Sequence, residues 1–379
     1  MAELDRLLRF THPPPFDGEA ALRAEVRAFL RARADDWAPV DRARSWIGFD
    51  RAFSKAVGAK GWIGMTWPKP YGHGRTQVER YIVVEEMLSA GAPVAAHWIA
   101  DRQSGPLIIS RGTDRQKETI LPGVVRGETT FCIGMSEPES GSDLASVRSR
   151  ATSVDGGWRL NGRKIWSTNA HLSDFMIALF RTGPADAETR HGGLTQFIVD
   201  LRASGIEIRE IKDLTGEHHF NEILFDDVFV PDEMLLGRPG DGWTQVTAEL
   251  AHERSGPERY LSAFPALAQA VREAGGDAAS ARTAGEMIVE YATLRAMSLS
   301  VAGMLDEGRD VAQQAAVVKD VGTTLEQDTP AAVRRLAPAP SDALAEMLTY
   351  TTCAAPTFSI RGGTRQIMRG IIARGLGVR

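Results

Sequence analysis

The first third of the chain repeats apolar residues at helical spacing. Two sets with intervals of one, three or four residues are Leu22, Val26, Phe29 and Leu30, and then Val83, Val84, Met87 and Leu88. Such intervals put apolar side chains on one face of a helix. The segment 19–127 is therefore predicted to be helical, with a loop rich in proline and glycine over 64–74.

The middle of the chain has shorter apolar or alternating runs bounded by turn residues. The predicted strands are 131–135, 158–160, 175–180, 196–200 and 223–230. Turns are predicted at Asp155-Gly156-Gly157, Asn161-Gly162 and Gly192-Gly193, and the Asn-Gly pair is expected to reverse the chain in a hairpin.

Helical periodicity returns after Gly242, most clearly in the set Met287, Tyr291, Leu294, Val301, Met304 and Leu305. Pro338 and Pro340 are expected to interrupt it before a last helix that leads to Arg369. The predicted fold class is α+β: an N-terminal helical domain over 1–128, a middle β-barrel-like domain over 129–236 and a C-terminal helical bundle over 237–379.

Composition restricts the classes of function. The 379 residues are 43% hydrophobic and 25% charged with a net charge of −5, which is typical of a globular protein without a general attraction to nucleic acid or anionic lipid. No apolar run reaches the roughly 20 residues needed to span a bilayer, and the first residues lack a signal-peptide pattern, so a soluble cytoplasmic protein is expected. Cys132 and Cys353 form no CxxC unit and are predicted to be buried fillers.

The richest segment in small polar residues is 134–146, which reads GMSEPESGSDLAS. It has the character of a strand end that turns into a loop, where N–H groups and hydroxyls converge on an anion or a polar ring edge. Its composition alone describes a simple turn equally well.

This run resembles the signature of the acyl-CoA dehydrogenase family at each restricted position, and the resemblance extends over nearly the whole chain. It implies bound FAD and oxidation of an acyl-CoA to the trans-2-enoyl-CoA. By the same resemblance, Ile133, Met135 and Ser136 are expected to contact the flavin, and Ser142 the CoA part of the substrate.

A second family element, NGRKIWSTN, occupies 161–169. A tryptophan in a strand is more often a core residue, but after the first motif Trp166 is interpreted as a flat wall beside the flavin. The resemblance also implies cofactor contacts for Ser167 and Thr168, the latter near the flavin N5. Thr364 and Gln366 are likewise expected to bind the cofactor, and Gly363 the substrate.

Removal of a proton α to a thioester needs a nearby carboxylate. Family members carry it in one of two places, and the C-terminal place is Gly362 here, which has no carboxylate. The other place, expected at the start of the long helix after the β-domain, holds Glu253, so Glu253 is predicted to be the catalytic base. Arg254 is expected to hold the substrate region. The alternative for Glu253 and Arg254 is an exposed helical charge pair.

The doublet His218-His219 has no carboxylate or cysteine at ligand spacing, so no metal is predicted. A comparable doublet occurs in some members of the family that act on steroid side chains.

Two elements of homomeric family members are missing. No Arg-x-x-Phe occurs within 255–283, and no Gln-x-x-Gly-Gly-x-Gly within 348–360. The pattern resembles the bacterial heterotetrameric enzymes of sterol and bile-acid side-chain breakdown, which implies a second, similar subunit as a partner and an electron-transfer flavoprotein as acceptor. A bulky or branched acyl-CoA is expected, with 255–257 kinking the helix beside it. The alternatives are an acyl-CoA oxidase and a non-catalytic partner subunit.

Overall fold

The computed structural model describes residues 9–184, 190–252 and 254–378, without the side chains of 248–252. The chain forms two compact units. A sheet unit contains Phe49–Gly74 and Ala95–Leu250, and a helical unit contains Met1–Gly48, Arg75–Val94 and Ala251–Arg379.

The helices within these described residues are α1 (Glu19–Arg31), α2 (Pro39–Ala43), α3 (Arg51–Ala59), α4 (Gln77–Ala90), α5 (Ala95–Ile99), α6 (Gly105–Arg111), α7 (Asp114–Val125), α8 (Gly242–His252), α9 (Phe264–Glu273), α10 (Ala278–Asp306), α11 (Ala312–Leu336), α12 (Asp342–Phe358) and α13 (Arg365–Gly375). The strands are β1 (Phe131–Gly134), β2 (Arg150–Val154), β3 (Gly157–Lys164), β4 (Phe175–Arg181), β5 (Leu194–Asp200), β6 (Ile206–Lys212), β7 (His218–Pro231) and β8 (Leu235–Leu236).

The strands of the sheet unit form one sheet in the order β6-β7-β3-β2-β4-β5-β8, and β1 pairs with β4 outside this path. β1 runs parallel to β4, with Ile133 opposite Ile177, whereas β3 and β7 are antiparallel. Every residue from 176 to 180 in β4 is buried, so both faces of this strand are covered. Edge-to-face aromatic contacts of Phe180 with Phe197 and Phe225 fill the core beside it.

The predicted hairpin at Asn161 and Gly162 is wrong, because both residues lie inside β3. The chain reverses earlier, at a turn between β2 and β3 where Gly156 has φ of +72°. Gly162 instead lies in β3 opposite a bulge in β7, and its φ is +140°. A Cβ at Gly162 would lie 2.3 Å from Oγ of Ser149, so glycine is needed there for a close strand approach.

The helical unit is assembled from chain segments far apart in sequence. α10 and α11 pack against each other, and the predicted stripe on α10 is buried except for Leu305, which is half-buried. Arg23 on α1 contacts Glu85 and Glu86 on α4 at 2.7 and 2.8 Å, and Arg295 on α10 contacts Glu85 at 2.6 Å. Three segments of the chain are thus joined by one ion-pair network.

The end of the chain differs from the expected single last helix. Pro338 and Pro340 follow the end of α11 as expected, but two helices come afterwards. The turn between α12 and α13 contains Gly362 and Gly363, with φ of +63° and +92°. Because this left-handed backbone favours glycine, the chain breaks there instead of continuing as one helix. Among the described residues, no helix is both long and apolar enough to cross a membrane.

Candidate functional site

Two loop segments that follow strand ends lie side by side in the sheet unit. The segment 134–136 follows β1, and the segment 165–169 follows β3. The N–H of Ile165 donates to the carbonyl of Ser136 at 2.9 Å, and Nζ of Lys164 lies 3.4 Å from the carbonyl oxygen of Met135. The fold therefore joins the two motifs that the sequence placed thirty residues apart.

The segment 165–169, called the Trp166 loop below, is tied to the start of β7. The N–H of Ser167 donates to the carbonyl of Asn221 at 3.1 Å, and the N–H of Asn169 donates to the carbonyl of His219 at 2.7 Å. Within the described part of the chain, the N–H groups of Trp166 and Thr168 make no hydrogen bond. The loop thus alternates between N–H groups held by β7 and N–H groups free to meet a ligand.

Trp166 has a backbone conformation that is rare for a bulky residue. Its φ is +61°, and its side chain is 54% exposed. The indole meets the ring of Phe220 edge to face, with 5.6 Å between the ring centres. It follows the end of β3 and is not a core residue. Strained backbone of this kind persists where the surroundings hold it, and it clusters at functional sites.

A flavin ring, as the resemblance implies, fits these residues. Trp166 presents a flat, exposed face, and the free N–H of Thr168 and that of Ser136, which also makes no hydrogen bond to a described residue, suit the acceptor-rich edge of an isoalloxazine. The hydroxyl of Ser167 is buried and has no hydrogen-bond partner among the residues described. Met135 and Ile133 are half-buried beside this surface.

A buried ion pair supports both loop segments from below. Nζ of Lys164 lies 2.8 Å from Oε1 of Glu137. The Lys164 side chain is fully buried, and the Glu137 side chain is 6% exposed. Burial lowers the pKa of Lys164 to about 8, although Glu137 acts to raise it. Burial acts to raise the pKa of Glu137, but Lys164 and the N–H groups of Arg148 and Ser149 outweigh it, so this pKa lies below its ordinary value.

Ser142 lies on an exposed loop near the end of the first motif. The hydroxyl of Ser140 donates to the carbonyl of Asp143 at 2.8 Å, and Arg190 contacts the Asp143 carboxylate at 2.7 Å. The loop is thereby ordered by its own contacts while the Ser142 side chain stays accessible.

In the helical unit, the structure brings Arg254 to Gly363. Arg254 is 7% exposed, and its Nη2 lies 3.9 Å from the position that a Cβ on Gly363 would take. Lys319 donates to the carbonyl of Gly363, and Oγ1 of Thr364 caps the first turn of α13. Gln366 is exposed on that helix. The interpretation of Arg254 as part of an exposed charge pair is therefore wrong.

Gly362 lies beside two arginine side chains that sequence reasoning did not predict to be there. A Cβ at Gly362 would lie 2.8 Å from Nη2 of Arg259, which is itself buried. Next to it, Arg361 contacts Glu326 at 2.7 Å and stacks 4.5 Å from the ring centre of Trp46. No local sequence pattern points to this cluster, because its members come from separate segments of the chain, with Trp46 far from the other three.

Glu253 lies outside the described residues. The segment before it is the end of α8, an 11-residue helix that finishes at His252, and not the start of a long helix. The expected kink at 255–257 is wrong as well, because the helix stops and a short 3-10 turn, Pro257–Arg259, follows. Proline at that turn begins a new element instead of bending an old one.

The histidine doublet belongs to a polar cluster that sequence reasoning missed. His171 and His218 stack with 4.0 Å between ring centres, and both hydrogen-bond to Oδ1 of the buried Asn221. Among the described residues, no group of three or more metal-ligating side chains is arranged to hold an ion. Cys132 is buried in the sheet core, whereas Cys353 is only half-buried.

Sequence relatives include FadE34, an acyl-CoA dehydrogenase of Mycobacterium tuberculosis. It is 32% identical to this chain over 328 residues, which are 85% of this chain and 45% of FadE34. The chain therefore spans less than half the length of this relative.

Similar solved structures include two whose names each join two proteins. Tcur3481–Tcur3483, described as a steroid ACAD, has a TM-score of 0.86 and 25% identity, covering 97% of this chain and 99% of that one. The ChsE4–ChsE5 complex from Mycobacterium tuberculosis has a TM-score of 0.82 and 26% identity, covering 98% and 100%.

Three family models match in succession along the sequence. They are the acyl-CoA dehydrogenase N-terminal domain over 17–128, the middle domain over 132–228 and the C-terminal domain over 240–377. The α+β fold and the family predicted from the two motifs are confirmed. The chain belongs to the acyl-CoA dehydrogenase family.

Proposed function

We propose that this protein is an FAD-dependent acyl-CoA dehydrogenase that converts an acyl-CoA thioester to its trans-2-enoyl-CoA. The observation that carries the proposal is the Trp166 loop. Its backbone is strained at Trp166, the indole is exposed, the N–H groups on either side of Ser167 are free, and the loop is hydrogen-bonded to the end of the first motif. A surface of this kind suits the binding of a flat ring whose edge carries hydrogen-bond acceptors.

The proposed cofactor contacts are those that the family resemblance implies. They are Ile133, Met135, Ser136, Trp166, Ser167 and Thr168 in the sheet unit, and Thr364 and Gln366 in the helical unit. FAD, when bound, supplies the acceptor for the β-hydrogen as a hydride. Within the protein, Trp166 and the N–H groups beside it orient the ring, and the buried pair of Lys164 and Glu137 keeps the two segments rigid.

The proposed base is Glu253, which takes the α-proton of the substrate. Burial of such a carboxylate raises its pKa towards working pH. Two features of the helical unit support this assignment. Arg254, the next residue, is buried, and the alternative place for the base is Gly362, which has no side chain and has a left-handed φ of +63°. Arg254, Gly363 and Ser142 are the proposed substrate contacts.

A bulky or branched acyl group, an electron-transfer flavoprotein and a second, similar subunit complete the proposal. α12 runs as one helix from Asp342 to Phe358, through the region where homomeric members carry a glycine-rich cofactor element. The similar structures Tcur3481–Tcur3483 and ChsE4–ChsE5 pair two named chains, and the former is a steroid ACAD. These names support a heteromer that acts on a steroid side chain.

The deciding experiment compares Glu253→Gln with Glu286→Gln, an exposed glutamate on α10, in FAD-loaded protein. Turnover of a panel of acyl-CoA substrates is followed with a dye acceptor, with oxygen uptake recorded in parallel. We expect Glu253→Gln to lower kcat by roughly 10²- to 10⁴-fold while substrate and FAD still bind, as for loss of a general base. The Glu286 variant keeps wild-type rates.

Wild-type turnover in Glu253→Gln would remove this residue from the chemistry. Rapid reoxidation by oxygen would identify an oxidase, and no turnover with any acyl-CoA in FAD-loaded wild type would leave the chain as a non-catalytic partner subunit.

A further inference from the structure

Asn221 on β7 uses every hydrogen-bonding group that its side chain has. It is fully buried, and its Nδ2 donates to the carbonyl of Ser167 at 2.9 Å and faces the carbonyl of His219 at 3.4 Å. Its Oδ1 lies 3.0 Å from Nδ1 of His171 and 2.9 Å from Nε2 of His218. A buried amide satisfied at both ends has one fixed orientation.

That orientation determines what the two imidazoles do. An amide oxygen only accepts, so His171 donates through Nδ1 and His218 donates through Nε2. Their rings stack with centres 4.0 Å apart and an angle of 18°, which fixes both donors side by side. Each ring needs only one N–H for this purpose. Two neutral rings therefore satisfy Oδ1 completely.

The contacts of Asn221 converge on the residue after Trp166. Ser167 is held at its carbonyl by the Asn221 side chain and at its N–H by the Asn221 carbonyl, at 3.1 Å. Trp166, the residue directly before Ser167, has a φ of +61°. A strained conformation of a bulky residue lasts only if neighbouring bonds hold it. In the described structure, Asn221 provides two of these bonds on the C-terminal side of Trp166, and the carbonyl of His219 provides another to Asn169.

Neighbouring residues on β7 divide the support of the loop between ring and backbone. The ring of Phe220 meets the indole of Trp166 edge to face, while the side chain of Asn221 donates to the carbonyl of Ser167 in the loop backbone. The Asn221 side chain thus adds a bond to the Ser167 carbonyl, which the backbone of β7 does not hold.

We propose that Asn221, braced by the stacked pair His171 and His218, is a positioning residue that sets the angle of the Trp166 indole against the flavin ring. The inference rests on the proposed function, because it needs a flavin beside Trp166. A purely structural buried asparagine is the competing explanation, and it predicts a loss of stability without any change at the flavin.

The test uses Asn221→Leu, which keeps the approximate size and removes all side-chain hydrogen bonds, and Asn221→Asp, which keeps the acceptor but turns a carboxylate oxygen towards the Ser167 carbonyl. The control is Thr195→Val, another fully buried residue, whose hydroxyl bonds Thr182 and the N–H of Gly240 at a distance from the loop. Hydrogen exchange of residues 165–169 is measured without flavin. Flavin fluorescence, midpoint potential, kcat and KM are measured in the FAD-loaded protein.

We expect both Asn221 variants to exchange Ser167 and Asn169 amides at least ten times faster than wild type. Flavin fluorescence, quenched by a close indole, rises several-fold, the midpoint potential shifts, and kcat falls about tenfold with little change in KM. Thr195→Val loses stability without these changes. Wild-type exchange and flavin spectra in Asn221→Leu would overturn the proposal.

Should Asn221→Leu fail to fold, His171→Phe keeps the ring stack, removes one donor to Oδ1 and gives the same readouts in smaller measure. Wild-type readouts in that variant count against the proposal equally. Wild-type protein that binds FAD while the Asn221 variants behave normally rejects only this inference. Wild-type protein that never binds FAD, alone or with a partner subunit, rejects the proposed function as well.

Discussion

Lys164 is an ammonium group with no access to solvent, directly before the Trp166 loop. It has one carboxylate partner, Glu137, and it lies 5.0 Å from the centre of the Phe180 ring. Replacing one partner of such a pair would leave an uncompensated buried charge, whereas replacing both removes the problem. The two side chains are therefore expected to stay paired in the folded protein. The energetic cost of burying the ammonium group is seen in the lowered pKa of Lys164.

Stability should rise with pH because of Lys164. Its pKa is about 8 in the folded protein against 10.5 ordinarily, so between these values the unfolded chain holds a proton that the folded chain has lost. Unfolding free energy then increases with pH, by about 2–3 kcal/mol across the window. Urea denaturation from pH 7.5 to 10.5 measures it against the double variant Lys164→Met with Glu137→Gln, which lacks this increase. Parallel pH profiles for the two proteins would contradict the prediction.

Residues within one motif were predictable, and partners from elsewhere were not. The resemblance picked out Trp166, Met135 and Ser136 as neighbours, and the fold does join their segments. Asn221 lies 54 positions from the carbonyl it holds, so no local pattern points to it. The positive φ of Gly362 was equally invisible, because a glycine in a sequence does not state which conformation it adopts.

At the scale of elements, the strands with the strongest apolar content were found and the amphipathic ones were missed. β4 and β5 are buried on both faces and stand out as continuous apolar runs. β6 alternates isoleucines with charged residues and is half exposed, and β2 is mostly exposed. The alternation in β6 is itself a strand signal that the prediction overlooked, whereas β2 has too few apolar residues to be distinguished from a loop in a single sequence.

The register shift between β3 and β7 at Gly162 provides a test at the same scale. Gly162→Ala should destabilise the protein by about 2–4 kcal/mol, because the new Cβ meets Ser149 and the backbone has φ of +140°. Gly156→Ala is the matched control: its φ of +72° is also left-handed, but nothing lies within 4 Å of its Cβ, so a loss of only about 1 kcal/mol is expected. Urea denaturation of both variants measures the difference, and equal losses would show that the close approach to Ser149 is relieved.

At the scale of the whole molecule, the amount of FAD bound per chain tests whether a partner subunit is needed to complete the cofactor site. Expressed alone, the chain is predicted to bind FAD well below one equivalent, because 348–360 lacks the glycine-rich element that the family resemblance implies for homomeric members. Co-expression with a second acyl-CoA dehydrogenase-like subunit should restore a yellow, FAD-bound complex. Flavin absorbance per chain after gel filtration measures this. Full occupancy in the single chain would rule out the need for a partner.

The division of the chain into two units has a consequence for its synthesis. The sheet unit draws on 49–74 and 95–250, whereas the helical unit also needs 251–379. During synthesis on the ribosome, all residues of the sheet unit can therefore emerge before the helical unit is complete. At that stage α1 and α4 lack the later helices that cover their apolar faces. The ion pairs of Arg23 with Glu85 and Glu86 also lack Arg295, which contacts Glu85 in the folded protein. Contacts between distant segments form slowly and expose sticky surface meanwhile. The early helices are thus where a chaperone would be needed during translation.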